Sequence, residues 1–184
     1  MKKFIVLLLF ACVACTPAFA GGEEKTGGIR WMSFDEVQVA MQKEPRRVFM
    51  DIYTDWCGWC KVMDRKTFSN PEVAAYINKH FYPVKFNAET DQSIRFVGKV
   101  WEREPGSKTN RLAVELLRGQ MSYPSTVILD PGFQNPMAIP GYLDVPTIET
   151  ILTYLNEGHN TGATPIPFPE FQKNYQTKWK VAAE

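Results

Sequence analysis

The 184-residue chain carries 21 lysines and arginines against 20 acidic side chains, a formal net charge of +1. That balance offers no basic stripe for nucleic acid, and a 45% hydrophobic content supplies one domain with a real core. The feature that asks for a chemical reason is the set of four cysteines, arranged as two C-x-x-C pairs.

Residues 1–20 read as a secretory signal peptide. Lys2 and Lys3 form a short basic region, Phe4 to Val13 is almost wholly apolar, and Ala18-Phe19-Ala20 places small residues before a cleavage point after Ala20. The apolar stretch is shorter than the roughly 20 residues a spanning helix needs, which disfavours a retained membrane anchor. A lipid on Cys15 would instead hold the mature chain on a membrane. The preceding Cys12-Val13-Ala14 fits such a site poorly, so the expectation is a periplasmic or secreted protein. Cys12 and Cys15 leave with the signal, and loss of Lys2 and Lys3 turns the net charge to about −1. Only Cys57 and Cys60 remain. A bond between them closes so short a loop that it removes little entropy from the unfolded chain. As a staple it would be nearly useless.

Gly21 to Arg30 is a polar, glycine-rich leader expected to be flexible, and the domain is expected over residues 31–158. Ser33 and Glu36 form a capping box, with Met32 and Val37 placed for a hydrophobic staple, so a helix should run from Phe34 to about Lys43. "RVFMDIY", Arg47 to Tyr53, reads as a buried strand. A helix follows the cysteines through Val62 and Met63. Another starts at Pro71 behind the cap Asn70, with Val73, Tyr76, Ile77 and His80 at helical spacing. "FYPVKFN", Phe81 to Asn87, is the second strand. Thr90 to Gln120 is an excursion containing one short extended piece near Ile94 and Phe96, a turn at Glu104-Pro105-Gly106-Ser107, and a helix from Arg111 to Arg118 ended by Gly119. Ser125 to Asp130 is the third strand, and after a Pro131-Gly132 turn Met137 to Tyr142 pairs back as the fourth. Asp144 caps a last helix with Ile148, Ile151, Leu152 and Leu155 on one face. The tail, residues 159–184, is rich in proline and aromatics and is expected to pack across the domain. Helices on both faces of a central sheet follow from this order.

The remaining cysteines admit two chemistries. Copper or zinc could be carried by Cys57 and Cys60, but closed zinc sites want four ligands. His80 and His159 each stand alone, and Met63 reads as core rather than as a soft copper ligand. A reactive dithiol has the clearer physical logic. A strand feeding C-x-x-C at a helix start puts Cys57 among unpaired N–H groups that favour an anion, which should lower its pKa below the free value of ~8.5. Cys60, one turn on, can attack a mixed disulfide and release the product. Trp56 and Trp59 would flank an exposed sulfur and could hold a peptide.

"MDIYTDWCGWCK" resembles the active-site stretch of the thioredoxin superfamily. Within it, the chain is most similar to exported thioredoxin-like proteins with W-C-x-W-C-K-x-M and to the C-terminal domain of the membrane thiol–disulfide interchange reductase. The resemblance implies an α/β, thioredoxin-like fold: a central mixed sheet of about four to five strands flanked by helices, with Thr90–Gln120 as an insertion before the cis-proline strand. It makes Asp51, six residues before Cys57, a buried acid that accepts the Cys60 proton, and Lys85 its neighbour in the next parallel strand. It makes Pro124 a cis-proline facing the dithiol, with the Tyr123 backbone offered to an extended peptide, and it matches Gly141 to a glycine late in the fourth strand. Asp51 satisfied by Lys85 as a purely structural pair, and an ordinary trans Pro124, are the plainer alternatives. Trp59 replaces the family's usual proline, so the redox potential does not carry over.

The expected function is a thiol–disulfide oxidoreductase acting on protein disulfides outside the cytoplasm, as a monomeric reductant fed by a membrane electron donor. It needs no cofactor and no metal. The alternatives are an oxidant or isomerase acting through the same dithiol, a copper or zinc carrier using the same pair, and a binding or chaperone module whose dithiol is vestigial.

Overall fold

The computed structural model describes residues 27–158 and 166–181. The expected signal peptide, most of the leader and His159 lie outside the described residues.

Helix α1, Phe34–Lys43, begins with the expected capping box. The Glu36 amide donates to Ser33 Oγ at 3.2 Å, and the Ser33 amide donates to Glu36 Oε2 at 2.7 Å. Two orphan N–H groups are satisfied reciprocally, and Val37 and Met41 are turned into the core. Ser33→Ala is expected to cost about 1 kcal/mol, read as a lower urea midpoint with an unchanged slope.

Strand β1, Arg47–Tyr53, leads into α2, Gly58–Met63, and a π-helical turn over Asp64–Phe68. Helix α3, Pro71–His80, follows its cap Asn70, whose Oδ1 accepts the Glu72 and Val73 amides at 2.9 and 3.2 Å. Strand β2, Phe81–Asn87, then lies parallel to β1, with Asp51 opposite Lys85. The outer edge of β2 is partly covered by Met32, whose amide donates to Pro83 O at 2.8 Å.

The excursion differs from its sequence reading. It is a two-stranded hairpin, β3 (Ile94–Phe96) and β4 (Lys99–Trp101), followed by α4, Arg111–Leu116. Val97 and Gly98 turn the hairpin with φ of 51° and 70°. That is the left-handed pair a two-residue turn needs, yet a β-branched valine carries no turn signal, so the second strand is not legible from sequence. Helix α4 stops two residues before the expected end because Arg118 and Gly119 take φ of 50° and 76°, and the Gly119 amide closes on Val114 O at 2.9 Å.

Strand β5, Ser125–Asp130, runs antiparallel to β1, and β6, Gln134–Pro140, runs antiparallel to β5. The sheet order is β2-β1-β5-β6. Strand β6 starts ahead of the expected Met137 because Phe133 and Asn135, both at positive φ, return the chain at once and pair Gln134 with Asp130. Gly141 lies one residue past β6 rather than inside it. Its φ of 96° suits glycine alone, and its amide donates to Pro124 O at 2.8 Å. Helix α5, Val145–Thr153, has the predicted cap Asp144, whose Oδ1 accepts from the Thr147 amide at 2.9 Å. Helix α6, Phe168–Asn174, opens behind Pro167 with Pro169 in its first turn, and the sequence reading of an aromatic tail does not single it out as a helix.

Strand alternation sorts the apolar residues onto two cores. Val48, Met50 and Ile52 join α1 and α4 on one face of the sheet. Phe49 joins Met63, Phe68, Ile77, Ile148 and Leu152 on the other. The same alternation puts Asp51 on the Phe49 face, the side that carries α2. Among the described residues no helix is long and apolar enough to cross a membrane.

Candidate active site

Cys57 is the N-cap of α2. Its Sγ accepts from the Cys60 amide at 3.0 Å, and its own amide donates to Thr54 O at 3.1 Å. The sulfur therefore takes the place of the oxygen that caps most helices. Cys60 is the third helical residue, and the two sulfurs are bonded across a Cα–Cα distance of 5.4 Å. Once that bond is opened, an amide N–H and the helix start both favour a thiolate at Cys57.

One expectation is corrected. Cys57 is not exposed: it and Cys60 are each 4% accessible. Capping geometry folds the Cys57 side chain back over the first helical turn, where it meets the Cys60 amide instead of projecting outward. The exposed surfaces are Trp56 at 66% and Trp59 at 62%. Trp56 meets Tyr123 edge-on with centroids 5.9 Å apart and donates its indole N–H to Glu89 Oε2 at 3.0 Å. Trp59 lies 5.6 Å from Tyr142. Trp59, Tyr123, Pro124, Gly141 and Tyr142 line one open cleft, and the Tyr123–Pro124 bond is cis. Burial pushes the Tyr123 hydroxyl pKa up, and the Glu89 charge adds to it.

A second cluster sits on the sheet face behind α2. Asp51 is 2% exposed, and its Oδ2 lies 3.1 Å from Lys85 Nζ. Its Oδ1 is buried with no hydrogen-bond partner among the described residues. Burial pushes the Asp51 pKa from 3.8 up to about 6, against the pull of Lys85. Burial works against the charged Lys85 too, but Asp51 and Asp64 outweigh it, and its pKa is raised. Lys85 also pairs directly with Asp64. Its ammonium lies 5.2 Å from the Trp31 ring centroid, 5.1 Å from that of Tyr53 and 5.6 Å from that of Phe68, which holds the cation by ring faces as well as by charge.

Asp64 is missed by sequence reasoning. The available signal was its place four residues after Cys60, one turn on along the same helical face; its amide donates to Cys60 O. A chain of contacts thus runs from the Cys60 turn through Asp64 and Lys85 to Asp51. Glu89 and Tyr142, which hold the two tryptophans, are missed as well. The structure brings Asp51 to Lys85, Cys57 to Cys60, Trp56 to Tyr123, and Trp59 to Tyr123 and Pro124. Met63 is fully buried in the core and His80 meets Asn156 and Tyr76. No group of three or more His, Cys, Asp or Glu among the described residues is placed to hold a metal.

Comparison with known proteins agrees with this geometry. The family profile Thioredox_DsbH, described as "Protein of unknown function, DUF255", matches residues 23–157. The chain belongs to the Thioredox_DsbH family. The family's name marks it as thioredoxin-like. A 44-residue stretch, 24% of this family member, is 36% identical to the thiol:disulfide interchange protein DsbD of Pectobacterium atrosepticum, and it spans 8% of that protein's length. The thioredoxin-fold protein from Helicobacter pylori superposes with a TM-score of 0.52 at 15% identity, covering 70% of this chain and 79% of that one. A thioredoxin from Thermus thermophilus gives 0.51 at 17% identity, covering 75% of this chain and all of its own. These two likenesses show the fold. The family match ends at Glu157, so α6 and the residues after it lie beyond it.

Proposed function

We propose that the protein reduces disulfides of other proteins outside the cytoplasm, with Cys57 as nucleophile and Cys60 as resolving thiol. The observation that carries this reading is the helix cap: the Cys60 amide donates to Cys57 Sγ while Cys60 itself is bonded to that sulfur. The Cys57 thiolate attacks a substrate disulfide, forms a mixed disulfide, and expels one substrate thiolate that takes up a proton. Cys60 loses its proton and attacks Cys57 Sγ. The second substrate thiol leaves, and the Cys57–Cys60 disulfide holds the two oxidising equivalents. A donor dithiol must then return two electrons.

Asp51 is the proposed acceptor of the Cys60 proton. Its pKa of about 6 lets it exchange a proton near neutral pH, and Lys85, itself paired with Asp64, holds it in place. The cleft of Trp59, Tyr123, Pro124 and Tyr142 is the proposed seat for an extended substrate segment, with Trp56 on its rim. An extracytoplasmic setting is supported by the character of residues 1–20. Thiol–disulfide exchange is supported by the stretch shared with the interchange protein; the reductive direction and a membrane electron donor belong to the proposal alone.

The test measures alkylation of the reduced protein against pH, together with reduction of a disulfide-bonded protein such as insulin. Cys57 is expected to ionise below the free value of ~8.5 and insulin to be reduced with turnover when a small dithiol is supplied. An unperturbed Cys57 together with no reduction would sink the proposal.

A further inference from the structure

The tail makes contacts that the dithiol does not explain. Glu149, on α5, is fully buried, at 0% exposure. Its carboxylate receives donors from the tail: the Tyr175 hydroxyl to Oε1 at 2.9 Å, the Lys178 amide to Oε1 at 2.7 Å and the Trp179 amide to Oε2 at 2.9 Å. The start of α3 supplies the rest. Glu72 accepts the Lys180 amide, and Asn70 Nδ2 donates to Lys180 O at 2.7 Å. The Trp179 ring lies 5.1 Å from Tyr76, at the edge of the core that holds Val73 and Ile77.

Most of these contacts read a peptide backbone. Only the indole against Tyr76 and the phenol at Glu149 read side chains. No cation contacts Glu149 among the described residues. Its charge is met by three neutral donors, all of them from the tail, and it loses all three when the tail lifts. A carboxylate regains its hydration when the cover lifts, so the opened face is not left as a bare apolar patch. The donor set is what an exchangeable ligand would bring.

We propose that the face of α3 and α5 is a peptide-binding seat, anchored by Glu149 and occupied in cis by residues 175–181. Its ligand class is an extended peptide that offers two successive amide N–H groups and an indole. The seat is independent of the dithiol chemistry, and its occupant, residues 175–181, lies beyond the family match.

The test uses the full-length protein. Native-state hydrogen exchange should show the Lys178 and Trp179 amides opening at denaturant concentrations where β1 amides stay protected. A labelled peptide of residues 175–181 should bind the full-length Trp179→Ala variant about tenfold more tightly than wild type, whose tethered tail competes at millimolar effective concentration. Adding Glu149→Gln should weaken that binding about tenfold, because an amide offers one acceptor oxygen where two are used and turns N–H toward N–H. Three results would each overturn the proposal: tail amides that exchange only on global unfolding, peptide binding no tighter in Trp179→Ala than in wild type, or binding indifferent to Glu149→Gln.

Discussion

Cys57→Ser is expected to abolish exchange with protein disulfides, while Cys60→Ser leaves the first attack intact and traps the partner as a mixed disulfide. Accessibility does not choose between the two sulfurs, since both are 4% exposed. Position does. Cys57 Sγ is the helix cap and receives the Cys60 amide, an interaction that strengthens when the sulfur is charged. Cys60 lies inside the helix, where its neighbours are already committed to the i→i−4 ladder. Serine at position 57 removes the only sulfur so placed, and a hydroxyl does not ionise near neutral pH. Serine at position 60 removes the group that closes the ring, so the mixed disulfide persists until an outside thiol resolves it. Acid quenching after mixing with oxidised insulin, followed by non-reducing electrophoresis and mass spectrometry, reads both outcomes. A Cys57→Ser variant that traps partners more efficiently than Cys60→Ser would reverse the two roles.

Asp51→Asn is expected to make the protein more stable at neutral pH and slower at exchange. Burial holds the Asp51 pKa at about 6 instead of 3.8. Between those values the fold keeps a proton that the unfolded chain gives up, so stability falls as pH rises through this window. Below it the term is absent, and above it the penalty is complete, at up to about 3 kcal/mol. An amide of the same shape carries no such penalty, and Lys85 keeps Asp64 as a partner. Urea unfolding of the oxidised protein at about pH 4 and about pH 8 should give similar stabilities at the lower pH and a more stable variant at the higher. Removing the proton acceptor should also slow release of the mixed disulfide by roughly 10²-fold. A variant that keeps the wild-type slope across this window would place the buried titration on some other group.

These expectations draw unequally on sequence and on structure. Helices α1, α3 and α5 and strand β1 follow from local signals: Ser33 with Glu36, Asn70-Pro71, the Asp144 cap and the Arg47–Tyr53 run. Such signals act within one turn or one strand, so a single sequence carries them. The hairpin at Val97-Gly98 was not legible, because its turn is made by a valine whose backbone is held by a distant side chain: Val97 N–H donates to Gln38 Oε1 at 3.0 Å. Helix α6 is only two turns long, and Phe168 and Phe171 find their partner in Tyr154, which the sequence order does not place beside them.

Chain order alone supplied the reactive spacing of Cys57 and Cys60 and the strand that delivers them to a helix start, while Asp51, Lys85 and Pro124 were picked out by family resemblance. Folding alone covers Cys57, shares Lys85 between a buried and a more exposed carboxylate, and roofs Glu149 with the tail. The physical reason is range. Capping and periodicity are settled by neighbours a few residues away, whereas burial and the fields that move a proton are set by groups brought together from distant parts of the chain.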